Sequence, residues 1–290
     1  MVKIEIRAKI SKKFVEDAVN KAIKLVEPPK NLKVFVIDNV NQCPFVTADL
    51  KGFARKAYEK FCRAEKTSMS VTANGHEHLI VFITKEDEYI RKNKTALIGT
   101  LVHELMHTQQ RKKHIDEYIF AELEDTLKRW SPKFRKLKIK GLNNVIMDIL
   151  DEAGYALKDI YDNYQLTKAG LGKYILEDYT NLYKGFKTCP RPLEFGKLHA
   201  EVKKNVRVLR NVINFQISIL AVVIPFMMWH KPKARLLAAR IENCYRISIT
   251  KVTYEFDDLI NYVLHNYDWS SAFRRKYFDI IMQKVYMLVT

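Results

Sequence analysis

Residues 95–113 read TALIGTLVHELMHTQQRKK, a run with no proline and a single glycine. Leu97, Ile98, Leu101, Val102, Leu105 and Met106 recur at helical spacing and fill most of the circumference, which predicts a buried α-helix. Residues four apart on a helix project from one face one turn apart, so the imidazoles of His103 and His107 converge on one point. Glu104 is turned about 100° from His103, within reach of a water held there. Two neutral imidazole nitrogens suit a divalent ion such as zinc. The ion keeps enough charge to acidify a water, and the adjacent carboxylate can take its proton.

N-terminal to this helix, residues 2–8 and 32–38 carry β-branched apolar runs. Between them SKKFVEDAVNKAIKLVE has helical periodicity behind a Ser cap, a β-α-β order closed by Pro28 and Pro29. Residues 47–64 predict another helix. SMSVTANGHEHLIVFIT predicts two strands joined at Asn74-Gly75, a preferred hairpin pair. Beyond residue 90 every periodic segment is helical: 94–113, 115–130, 141–163, 170–184, 194–213, a buried one at 215–229, 232–245 and two near the end. The expected fold is α+β, a mixed N-terminal sheet with helices followed by a mostly helical half. The expected subdomains are 1–113, ending in the histidine helix, and 114–290. No repeat occurs at a fixed period.

His103-Glu104-Leu105-Met106-His107 resembles the signature of the zincin metallopeptidases, and the strand at 77–84 resembles the one along which zincins align a peptide. The resemblance implies a zincin-like fold and a zinc-dependent metallopeptidase with Glu104 as general base. The C-terminal half is similar to uncharacterised archaeal H-E-x-x-H proteins, which imply no activity. The metzincin pattern asks for glycine three and histidine six residues after His107, where this chain has Gln110 and Lys113, so that clan is excluded. Gluzincins take a glutamate from a second helix. In GLNNVIMDILDEAGYALKDIYDNY (141–164), Asp148, Glu152, Tyr155 and Asp159 form one helical stripe. Glu152 is the expected third ligand, with Asp148 and Asp159 as alternatives or as groups that orient an imidazole. Ala156 stands where gluzincins carry a further acid. His114 is a rival ligand if the helix breaks before it, since on an unbroken helix it lies about 10 Å further along the axis. Tyr155 or Tyr161 could donate to a developing oxyanion. His76, His78, His199, His230 and His265 stand singly or as a surface strand pair and are read as structural.

The 290 residues are 48% hydrophobic with a formal charge of +17, enough for a substantial core. The charge is uneven. No acid occurs between Asp125 and Asp148, where Lys128, Arg129, Lys133, Arg135, Lys136, Lys138 and Lys140 stand, nor from Val202 to Ile241. Such stretches fit nucleic acid or an anionic membrane surface. The competing class is therefore a basic binding protein in which any metal is structural or vestigial. The apolar run 217–229 is short of the ~20 residues that span a bilayer and holds Pro225, so it is read as a buried helix; its basic flanks suit an interfacial segment as the alternative. Four scattered cysteines and a charged N-terminus point to the cytoplasm. No Walker loop, G-x-G-x-x-G or G-x-S-x-G motif supports nucleotide or serine-hydrolase chemistry.

Overall fold

The computed structural model of the chain describes residues 2–42, 55, 58–59, 61, 68–73, 75–85, 87–185, 200–202, 204–248 and 254–290. The predicted helix at 47–64 and the start of that at 194–213 fall largely outside them, as do Asn74 and His199. The chain divides into two compact units, residues 1–113 with 165–184, and residues 114–164 with 185–290.

The first unit is built on a four-stranded mixed sheet in the order β1-β2-β4-β3, comprising β1 (Val2–Ile6), β2 (Leu32–Ile37), β3 (Ser68–Ala73) and β4 (His76–Phe82). β1, β2 and β4 run parallel, and β3 returns antiparallel to β4 with Ser68 opposite Val81 and Ala73 opposite His76. Helix α1 (Lys12–Leu25) starts behind Ser11, whose hydroxyl accepts from the Phe14 amide at 3.4 Å. Parallel strands covered on both faces read as near-continuous apolar runs, as β2 does in LKVFVI, where Lys33 alone is polar. One face of the sheet packs Phe35, Ile37, Met69, Val71, Ala73 and Ile80 against Tyr58 and Phe61. By alternation, Ser68, Ser70, Thr72, Glu77, Leu79 and Val81 point to the other face.

That other face carries α3 (Lys94–Lys112), which follows the short α2 (Glu88–Lys92) and packs on α1, β3 and β4. The Asn93 side chain caps α3, accepting from Thr95 and Ala96 amides at 3.0 and 3.3 Å. Twelve of the nineteen residues of α3 are buried, as its all-round apolar pattern predicts. Helix α6 (Gly172–Gly185) joins this unit. A β-carbon on Gly99 would lie 2.1 Å from the Tyr174 carbonyl oxygen, so only glycine permits this approach of α3 to α6.

Strand β4, which covers most of the segment at 77–84 expected to align a peptide, lies inside the sheet with β2 and β3 on either side; among the described residues the outer strands are β1 and β3. For the same reason His78 is not a surface residue. It is 4% exposed and its ring stacks on Phe35 at 5.9 Å.

The second unit is helical among the described residues. It holds α4 (Ile115–Arg135), most of α5 (Leu142–Lys168), α7 (Arg207–Met228), α8 (Pro232–Ser248), α9 (Tyr254–Asn266) and α10 (Ser271–Val289). Gly154 lets α5 approach Ile119 of α4, and the Tyr277 hydroxyl of α10 donates to the Ala153 carbonyl at 3.2 Å. The segments predicted as separate helices around residue 214 form the single α7, with Pro225 inside it. By length and composition α7 is apolar enough to cross a membrane, and 71% of its most apolar window is buried in the protein. Ile217, Leu220, Val223, Ile224 and Phe226 are fully buried.

Candidate metal centre

The two histidines of α3 stand as their spacing predicts. His103 Nε2 and His107 Nε2 are 3.1 Å apart, with the rings edge to face at 4.7 Å. Two nitrogens on one tetrahedral zinc, each about 2.0–2.1 Å from it, lie about 3.3 Å from each other. The pair is therefore already at ligand spacing. His103 is buried and His107 half-buried. The Nδ1 of His107 lies 3.2 Å from Gln110 Oε1. A proton on Nδ1 donated to that oxygen leaves the Nε2 lone pair directed at the shared point. Gln110 is itself buried.

Glu104 is 4% exposed. Ser68, at the start of β3, donates its hydroxyl to Glu104 Oε1 at 2.7 Å, while Oε2 is buried without a hydrogen-bond partner among the described residues. A buried carboxylate oxygen is costly to leave unsolvated, so Oε2 calls for a water or another donor. Two turns on, Arg111 binds Glu77 on β4, Nη2 to Oε2 at 2.5 Å, and its Nη1 reaches Ser70 Oγ at 3.3 Å. Helix residues seven apart thus meet strand residues two apart, Ser68 and Ser70, and these contacts pin the rotation of α3 on the sheet.

Helix α6 supplies a second set of groups. The Thr100 hydroxyl donates to Asp178 Oδ1 at 2.5 Å. Burial pushes the Asp178 carboxyl up to about 6; the Thr100 hydrogen bond and attraction to His103 oppose this, and repulsion from Glu104 adds to it. Tyr179 sets its ring edge-on to His103 at 6.4 Å. The neighbouring Glu177 accepts from Tyr89 Oη and from Asn93 Nδ2, the latter at 2.8 Å, which fastens α6 to the start of α3.

The other sequence candidates have these surroundings. Glu152 accepts from Ser218 Oγ at 2.8 Å, and Asp148 pairs with Arg210 at 3.4 Å, both contacts to α7. The chain does break before His114, which takes the left-handed conformation at φ 57 without any glycine. Its ring is exposed with Nδ1 2.8 Å from Glu117 Oε1. Burial raises the phenols of Tyr155 and Tyr161. Ser68, Gln110, Asp178 and Tyr179 escape the sequence reading because their roles depend on strand register and helix packing. The alternation of Ser68, Ser70 and Thr72 against Met69, Val71 and Ala73 is the one pattern that marks a polar strand face.

No family model, curated protein or solved structure matches the chain.

Proposed function

We propose that the protein is a zinc-dependent metallopeptidase of zincin-like architecture, with His103 and His107 as ligands, a carboxylate as the third ligand and Glu104 as general base. The observation that carries this reading is the 3.1 Å separation of the two Nε2 atoms beside a buried carboxylate with one unpartnered oxygen.

In this reading a bound zinc supplies an acidified water and polarises the scissile carbonyl. Ser68 holds one oxygen of Glu104, leaving the other to take a proton and return it to the departing amine. Gln110 fixes the tautomer of His107, and Asp178 lies where its charge favours His103 as a ligand. Among the described residues β3, rather than β4, has an outer side on which an extended peptide could pair.

The test combines metal analysis with peptide cleavage. Purified protein is expected to hold one zinc per chain. Glu104→Gln should keep that zinc and lose activity by about 100- to 10,000-fold, the usual weight of a general base. Zinc retained with cleavage unaffected by Glu104→Gln would refute the assignment of the base.

A further inference from the structure

Lys128, Lys133, Arg135, Lys136, Lys138 and Lys140, along the last turns of α4 and the segment leading to α5, are all exposed. Among the described residues none of the six enters an ion pair. The acids bounding this stretch are already engaged. Asp125 pairs with Arg129, which also reaches Asp279 at 3.1 Å, and Asp148 pairs with Arg210. Lys133 lies over the Trp130 ring at 4.0 Å, which leaves its charge uncompensated. At about 100° per residue, Lys128, Lys133, Arg135 and Lys136 cover an arc of about 160° centred opposite the buried Phe134. The helix end is thus a convex ridge with cations on its crest and both flanks. Such self-repulsion weakens the folded state unless a polyanion relieves it.

We propose that this ridge binds the phosphate backbones of double-stranded nucleic acid. Cations spread around a helix can meet phosphates on both walls of a groove about 12 Å wide, whereas a flat bilayer would meet only those on one side. Among the described residues the exposed large apolar ones are Tyr118, Phe120, Met147, Leu236 and Met287. None lies between residues 128 and 140, so the ridge has nothing to insert among lipid chains. The contacts are to phosphate and carry no sequence preference. This binding does not depend on the metallopeptidase reading.

The full chain is titrated into a fluorescently labelled 20-base-pair DNA duplex, following anisotropy at several salt concentrations. One variant carries Lys128→Gln, Arg135→Gln, Lys136→Gln and Lys138→Gln. A control with the same net charge carries Lys3→Gln, Lys13→Gln, Lys21→Gln and Lys24→Gln, all exposed positions of the first unit. The ridge variant is expected to bind about 100-fold more weakly at 0.1 M salt, and its slope of log affinity against log salt should be shallower by about 3. The control should change by less than about threefold, the effect of net charge alone. Lys136→Glu alone, expected to weaken binding about tenfold, keeps the comparison available should the quadruple variant fail to fold. Equal losses in ridge and control variants would overturn the proposal, as would absence of duplex binding by the wild type. Sedimentation with phosphatidylserine vesicles that the ridge mutations abolish, with duplex binding unchanged, would overturn it in favour of a membrane.

Discussion

Glu104 and Ser68 are separated by 36 residues of sequence and joined by one 2.7 Å hydrogen bond. A hydrogen bond to a charged group contributes about 1.5–3 kcal/mol, and part of that shows in the rate if the carboxylate must hold one orientation. Ser68→Ala is therefore expected to lower peptide turnover about tenfold with zinc content unchanged, and Ser68→Thr to restore most of it. Equal turnover in Ser68→Ala and wild type would show that the bond does not orient the base. His103, Glu104 and His107 were legible in the sequence because helical geometry fixes residues four apart. Their supporting residues were not, since Ser68, Gln110 and Asp178 become neighbours only through strand register and helix packing. Within the acidic stripe of 148–159, helix periodicity gives a face and not a depth, so it singles out no one member.

At the scale of elements, the approach of α3 to α6 turns on Gly99. Helix propensity alone favours alanine over glycine by about 1 kcal/mol in a helix interior. The 2.1 Å approach of a β-carbon to the Tyr174 carbonyl reverses the sign, and overpacking costs about 1–3 kcal/mol. Gly99→Ala should lower the urea midpoint; a rise would place α6 further from α3 than described. A second element effect follows from β4 lying inside the sheet. Burial lowers the pKa of His78 below its ordinary 6.5, with Lys33 and His76 adding to the shift. The unfolded chain then binds the proton more readily, so stability falls as pH drops below about 6.5. His78→Phe is expected to flatten this acid-side slope, read by urea unfolding at pH 5.5 and 7.5. The antiparallel pairing of 68–73 with 76–81 was readable from alternation, yet strand order was not, because pairing partners far apart in sequence leave no local pattern.

At the scale of the molecule, the first compact unit runs to Lys113 and the helical unit starts at His114. Residues 165–184 nevertheless belong with the sheet, a return of the chain that no composition shift announces. A ligand that binds only the folded protein stabilises it by about 2.7 kcal/mol at one hundred times its dissociation constant. If His103 and His107 hold zinc, chelation should lower the melting temperature by several degrees, and adding zinc to His107→Ala should not restore it. An unchanged melting temperature after zinc removal would show that the ion contributes nothing to folding.

Strand β3 runs against its three companions, and this gives the sheet border a direction. A chain laid antiparallel along that border travels from the level of Ala73 towards Ser68, bringing its carboxyl-terminal portion to Glu104; one laid parallel brings its amino-terminal portion instead. Polarity of any guest strand is therefore convertible into which of its ends meets the carboxylate.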